Sequence, residues 1–456
     1  MVMDIVQQNT VAARIDRLPL LSLHRKLAFV LGIGTFFDLY DVFLGGLLGT
    51  ILKPAMHLSA LQVSILVSSG FLGMFLGALI IGTVSDYLGR RSMFMFNLLI
   101  YSVFSLFVAF SPSYGLIILF RFLSGLGLGA ETILADIYIS EMVPRYARGR
   151  YTAWSYTLGF LGIPMAGLIG KLVVPYSFLT IPGWRWLLVF GAIGAIIVWL
   201  LRQGLPESPR WYEIKQRTNE ANSAMEKIER LALTERQLTT LPDPETVEVE
   251  PQQSRSTLGE IFQGTYAKRT IMLWIFQILQ TVGYYGFGTL APSILTAKGY
   301  SVVSTLGYTA LIYLGYPLGS LLSIPVVERF ERKYLIVIAA AIMAVLGLCF
   351  GFATSIVVIV VSGFLMTTVS NFFSNSFHIY QAEIFPTRMR GTAVGIAYSL
   401  SRLSNVVLVF VAFPVLASYG APTIFIGSTV LLAILCLDVI VLGPRTTGRS
   451  LEQVAH

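Results

Sequence analysis

Asp38, Asp41, Arg121, Glu131, Asp136, Arg402 and Asp438 stand inside otherwise apolar runs of the chain. A charge held in the middle of a hydrocarbon layer costs at least about 2.5–3.5 kcal/mol, so such residues mark sites that handle ions or charged solutes. Carboxylates beside guanidiniums can load and release a proton. Burial favours the neutral carboxyl, a close guanidinium favours the charged one, and moving the guanidinium switches between them. Arginine also offers a planar fork that matches a carboxylate solute. Asp38 and Asp41 are three residues apart and therefore share one helical face. The chain has no nucleotide-binding P-loop, so ATP is not expected as the driver. No nucleophile–base or metal cluster lies in the apolar runs, so neither an enzyme nor a metal or other cofactor is expected. Cys349 and Cys436 both lie in apolar runs, which suits neither a disulfide nor a zinc site.

The elements that must hold these charges follow from composition. Of 456 residues, 55% are hydrophobic and only 12% are charged, with mean hydropathy +0.73. A soluble globular protein carries roughly 25% charged residues. A polytopic membrane protein is implied, and an ordinary soluble enzyme is excluded. The net charge of +8 is not clustered on one face, so nucleic-acid binding is not expected. No removable signal peptide is expected from the first 24 residues. A hydrocarbon core of about 30 Å needs about 20 apolar residues per helix. Twelve such runs are expected at 26–51, 63–84, 93–110, 115–140, 151–173, 186–203, 268–296, 304–327, 334–353, 355–381, 391–416 and 422–442. They are too long and continuous for barrel strands.

Most of the 32 Lys and Arg residues fall on the side that carries both termini. The opposite side has Lys53, Lys171, Arg185 and Lys298. By the positive-inside rule both termini are expected in the cytoplasm, with the protein in the plasma membrane, or the inner membrane of a prokaryote. The expected fold is all-α, with twelve transmembrane helices in two six-helix bundles related by a pseudo-twofold axis. The expected divisions are a cytoplasmic segment 1–25, a bundle 26–203, a cytoplasmic loop with a helical part 204–266, a bundle 267–442 and a cytoplasmic tail 443–456.

An internal repeat supports the two halves. Gly82, Asp86, Gly89, Arg90 and Arg91 form one charged loop motif, and Glu328, Arg332 and Lys333 its counterpart. Asp86 and Glu328 are 242 residues apart, as are Arg90 and Arg332. Glu141, Pro144, Arg148 and Gly149 recur at the same offset as Glu383, Pro386, Arg390 and Gly391. These motifs are read as gating or folding devices. Parallel repeats suit alternating access, in which two bundles rock around a central site.

The helical rise of 1.5 Å per residue sets depths. Asp38 lies ~18 Å and Asp41 ~22 Å from the inner face, Arg121 ~21 Å and Arg402 ~16 Å. Asp41 is therefore level with Arg121, and Asp38 with Arg402. The four charges are expected to meet near the midplane, or Arg402 simply to neutralise Asp38. Gln277, Gln280, Thr281 and Tyr284 form a polar stripe on one helix, and Thr367, Asn371, Ser374, Asn375 and His378 on another. Such stripes line a cavity or glue helices together. Gln280 is the repeat equivalent of Asp38.

The chain resembles the major facilitator superfamily along almost all its length. The motif from Gly82 to Arg91 matches that superfamily's signature, with Tyr87 where a basic residue is usual. Arg121, Gly125, Gly127 and Gly129 resemble its span-four motif. The segments 206–211 and 444–452 are similar to sugar porters, though Arg445 replaces an acid. The segment from Tyr380 to Arg388 resembles the organic-ion and metabolite/proton branches, and the pair Asp38 and Asp41 resembles that of aromatic-acid/proton symporters. The resemblance implies that Asp41 pairs with Arg121 for proton coupling, and that Arg402 marks an anion carrier. Glu131 is similar to an acid of the metabolite/proton branch and is read as a second proton site. The expected function is proton-coupled symport of a small organic anion by a monomer. Asp38, Asp41, Arg121 and Glu131 couple protons. Arg402, Gln277, Gln280, Tyr284, Asn371 and Asn375 bind substrate. Asp136, His378 and Asp438 are left without a role. The rival readings are a sugar or polyol porter, a multidrug efflux antiporter, and a channel or sensor on the same scaffold.

Overall fold

The computed structural model describes residues 10–244, 259–327, 329–385 and 387–446. Lipid offers the backbone no hydrogen bonds, so each apolar run closes its own as a helix. Spans one to three are Ser22–Ala55, Ala60–Leu88 and Arg90–Phe110. Span four is parted at Gly129 and Ala130 into Tyr114–Leu128 and Glu131–Met142. Span five comprises Arg148–Phe160 and Gly162–Val173, and span six is Gly183–Gln203. Span seven runs through Gly264–Thr281 and Phe287–Ala297, joined by a π-turn over Val282–Gly286. Span eight comprises Val302–Tyr313 and Gly315–Val327, followed by Arg332–Phe352 and Ile356–Glu383 as spans nine and ten. Thr387–Leu442 contains spans eleven and twelve, which fold back at Gly420, where φ is 77°.

Ten helices among the described residues are long and apolar enough by themselves to cross a membrane. The π-turn divides one further crossing, and the bend at Gly420 makes two crossings of one element. The twelve expected spans are therefore present. Several run past their apolar stretches: span one starts at Ser22 and span two ends at Leu88. Intrahelical hydrogen bonding does not stop where hydropathy does. The repeat is visible in side-chain pairing. Arg90 Nε lies 3.3 Å from Glu141 Oε1, and Arg332 Nε lies 3.3 Å from Glu383 Oε1, each partner 242 residues after its counterpart.

At the face carrying the termini, a short helix Val11–Asp16 packs on the linker helices Pro209–Ile214 and Thr218–Arg236. Arg14 and Arg17 each reach Glu229 at 2.7 Å, and the backbone N–H of Val11 donates to Glu213 at 2.8 Å. Burial alone would raise the Glu229 pKa, but the two guanidiniums outweigh it and hold the carboxyl below its ordinary range.

The two halves meet mainly at the opposite, far face. Ser64 Oγ donates to Val409 O at 3.2 Å and Ser68 Oγ to Val406 O at 3.4 Å, joining spans two and eleven. The hydroxyls of Thr50 and Ser293 lie 2.9 Å apart, joining spans one and seven. Gly46 makes this approach possible, since a Cβ there would lie 2.4 Å from Thr289 O. Toward the terminal face, Asp136 of the first half and His378 of the second are exposed.

Candidate functional site

The Asp41–Arg121 pair forms as the depth argument requires. Arg121 Nη1 donates to Asp41 Oδ2 at 2.8 Å, and both side chains are at most 5% exposed. Span one passes Gly45 to the guanidinium and span two passes Gly70, so the charge lies between two bare backbones. In so buried a place the pair is held by its own hydrogen bond and by exclusion of water.

Arg402 lies in the second half and does not meet Asp38, which corrects the expectation of a four-charge cluster. It is 2% exposed, with Cζ 4.7 Å from the centre of the Tyr285 ring and 4.8 Å from that of Tyr398. Nη2 donates to Tyr398 Oη. Among the described residues, Nε and Nη1 have no hydrogen-bond partner. A guanidinium between two ring faces keeps its charge in a dry site through cation–π attraction. Tyr285 and Tyr398 carry no charge, so nothing in the sequence marks them as neighbours of Arg402. The π-turn in span seven, which brings Tyr284 and Tyr285 into the interior together, was equally invisible there.

Tyr156 of span five donates from its hydroxyl to Asp136, at 3.1 and 3.0 Å. Its phenol lies within electrostatic reach of Tyr285 and Tyr398 across the gap. A chain of amides runs along the other wall. Gln280 Nε2 donates to Gln277 Oε1 at 3.1 Å, and Gln277 Nε2 to Gln381 Oε1 at 3.1 Å. Gln381 Nε2 lies 3.1 Å from His378 Nδ1, and the His378 ring is 6.4 Å from that of Tyr398. Tyr284 packs edge-on against Tyr285 at 4.8 Å. Asn371 and Asn375 spend their amides on span eight. Asn371 Nδ2 donates to Tyr316 O at 2.5 Å, and Asn375 Nδ2 to Ser323 Oγ at 2.7 Å. Asp438 is buried in span twelve, and its two carboxylate oxygens have no partner among the described residues.

Glu131 pairs with Arg202, which stands in the last turn of span six, where a basic residue ordinarily meets the membrane surface. Arg202 instead turns inward, 1% exposed, with Cζ 4.4 Å from the Phe94 ring centre. Asp38 is one helical turn beyond Gly34, the residue of span one that meets this pair.

The loop motifs converge at the terminal face. Glu207 accepts from the backbone N–H groups of Arg90 at 3.1 Å, Arg91 at 3.1 Å and Ser208 at 3.0 Å, capping span three. Burial raises the Glu207 pKa against the pull of those donors. Gly89, at φ +100°, lets the carboxylate come close, for a Cβ there would lie 2.6 Å from Glu207 Oε2. Arg91 Nη2 donates to Gln203 O at 2.6 Å. Arg148 Nη2 lies 3.3 Å from Asp16 Oδ1. Glu328 lies outside the described residues, as do the surroundings of Gly82 and the side chains of Asp86 and Arg390.

The family described as sugar (and other) transporter matches residues 27–456. The chain is 32% identical over 455 residues to the putative metabolite transport protein YyaJ of Bacillus subtilis, covering 98% of this chain and 99% of that one. It is 30% identical over 445 residues to the niacin transporter NiaP of Acinetobacter baylyi, covering 97% and 99%. A structure of the xylose transporter XylE from E. coli in an inward-open conformation superposes with a TM-score of 0.76 at 20% identity, covering 94% of this chain and 99% of that one.

Proposed function

This chain belongs to the sugar (and other) transporter family of the major facilitator superfamily, a family of membrane transporters and not of enzymes, and on that premise we propose that it carries a small aromatic carboxylate together with protons. Arg402 is the observation that carries the reading. A buried guanidinium clasped by two tyrosine faces, with N–H groups left over, suits a flat anion whose ring stacks where its carboxylate is bound. The relative named a niacin transporter agrees with it, since niacin is a pyridine carboxylate. Gln277, Gln280 and Tyr284 supply the polar side of the substrate path on this reading, whereas Asn371 and Asn375 hold spans eight and ten together.

Asp41 takes the proton. While Arg121 touches it, the carboxylate is the favoured form. When rocking of the halves withdraws Arg121, the acid form is favoured and a proton enters. Phe71 lines the space beside Asp41 and Arg121, and its ring meets that of Tyr285 at 6.1 Å. Tyr285 in turn faces Arg402, so anion binding and the proton site share a line of contacts. The termini and the linker lie in the cytoplasm on this reading, with Arg90–Glu141 and Arg332–Glu383 fastening the inner loops of the two halves. The protein works as a monomer.

The test is uptake into proteoliposomes under an imposed pH gradient, with aromatic carboxylates, sugars and cationic drugs as separate arms. Aromatic carboxylates are expected to accumulate, and Arg402→Gln to abolish their binding while sparing protein stability. Accumulation of a sugar, with no response to carboxylates or to Arg402→Gln, would overturn the proposal.

A further inference from the structure

The proton site just described uses one of two buried charge clusters in the first half. The other consists of Asp38, Glu131 and Arg202, all at most 4% exposed. Its arithmetic does not balance: two carboxylates face one guanidinium. A net charge enclosed in a medium of low dielectric constant costs several kcal/mol, and the cluster can avoid that cost by taking up one proton.

Geometry says where the proton sits. Glu131 Oε1 accepts from Arg202 Nη2, so Glu131 is the paired acid. Gly34 is the part of span one that meets this pair. A Cβ on Gly34 would fall 2.1 Å from Arg202 Nη2 and 3.3 Å from Glu131 Oε1. Asp38 is four residues further along the same helical face, one turn beyond the guanidinium. Its Oδ2 is buried with no partner among the described residues, and Arg202 Nε and Nη1 are likewise unpartnered. The guanidinium is further fixed on its other side by the Phe94 ring. The groups facing Asp38 are Glu131 from span four, Arg202 from span six, Tyr101 from span three and Asp41 from its own helix. Arg121 is occupied by Asp41.

We propose that Asp38, Glu131 and Arg202 form a second proton-binding site, in which Asp38 holds the proton, Glu131 is the counter-ion of Arg202, and a shift of Arg202 by one helical turn toward Asp38 releases that proton. The proton comes from and returns to water, and no bond other than O–H is made or broken. This deepens the proposed proton-coupled function and rests on it for the direction of proton flow. The presence of the proton itself does not depend on that reading.

The experiment is infrared titration of the purified full-length protein in detergent, reading the carbonyl band of protonated carboxylic acids as a difference from wild type. Charge balance gives each variant a distinct outcome. Asp38→Asn removes the proton holder and should lower the band. Glu131→Gln frees Arg202 to neutralise Asp38 and should lower it as much. Arg202→Met leaves both acids without a counter-ion and should raise the cluster's contribution about twofold. Asp438→Asn reads any unrelated buried acid and should act additively with all three. An unchanged band in Asp38→Asn, or a fall in Arg202→Met, overturns the proposal. The proton-to-substrate ratio in proteoliposomes supplies the second readout, expected to fall in Asp38→Asn and to be unaffected by replacing sodium with choline. Wild-type liposomes without substrate-coupled proton movement would defeat the proposed function, while the infrared result would still decide the cluster.

Discussion

Replacing Asp41 with asparagine removes one oxygen's charge and little volume, so its consequences are electrostatic. Arg121 would remain 4% exposed, between the backbones at Gly45 and Gly70, without its carboxylate at 2.8 Å. Stranding one member of a buried ion pair costs about 3–5 kcal/mol. At about 1.4 kcal/mol per tenfold, the conformation that buries Arg121 becomes rarer by roughly two to three and a half orders of magnitude. Asp41→Asn should therefore unfold at a lower temperature in detergent, and should lose accumulation against a gradient while preserving exchange of preloaded substrate, which needs no net proton movement. The double variant Asp41→Asn with Arg121→Met restores neutrality, so its stability should exceed that expected from adding the single losses. The assays are thermal unfolding for all members of that cycle and pH-driven uptake in proteoliposomes. Wild-type accumulation by Asp41→Asn would refute the proton role, and strict additivity would refute the energetic importance of the pair.

Further outcomes follow from other contacts. Gly46→Ala places a methyl 2.4 Å from Thr289 O, and overpacking of about 1–3 kcal/mol should open the far face, read as faster labelling of a cysteine placed at Ser293. Glu207→Ala leaves the N–H groups of Arg90, Arg91 and Ser208 without their acceptor, which should cost about 1–2 kcal/mol in thermal or denaturant unfolding. The pKa of Glu229 is depressed in the docked state, so its contribution to holding the helix Val11–Asp16 is full at neutral pH and is lost as the pH falls through that depressed value. Amide protection in that helix, measured against the unstructured exchange rate at each pH, should fall on acidification in wild type and should already be low at neutral pH in Glu229→Gln.

The fold was legible in the chain because its signals are additive over many residues. Twenty apolar positions define a span, and the constant offset of 242 residues defines the duplication that reappears as Arg90–Glu141 and Arg332–Glu383. Depth was legible too, since a fixed rise per residue placed Asp41 level with Arg121. Azimuth was not. Asp38 and Asp41 share a broad face, yet Asp41 meets span four at Arg121 and Asp38 looks toward Glu131 and Arg202. A rotation of tens of degrees decides between those neighbours, and helix packing sets it. Arg202 was hidden for a different reason: a basic residue at the end of an apolar run reads as a headgroup contact, and only the third dimension shows it turned inward.

Coupling requires that the anion and the proton bias the same motion. Arg121 and Arg402 lie in opposite halves, so neither can sense the other's partner by direct contact. Tyr285 is the residue that touches both environments: its ring meets Phe71, which lines the space beside Asp41 and Arg121, and it carries Arg402 on its face. The π-turn at Val282–Gly286 places that ring where the regular α-helical ladder is interrupted. On the proposed function, an anion bound to Arg402 draws Tyr285 toward the second half and alters the packing of Phe71 against the first. Tyr285→Phe keeps the ring and should preserve coupling, whereas Tyr285→Ala should leave carboxylate exchange measurable while uncoupling it from the pH gradient. Equal coupling in both variants would mean that the two sites communicate by some other route.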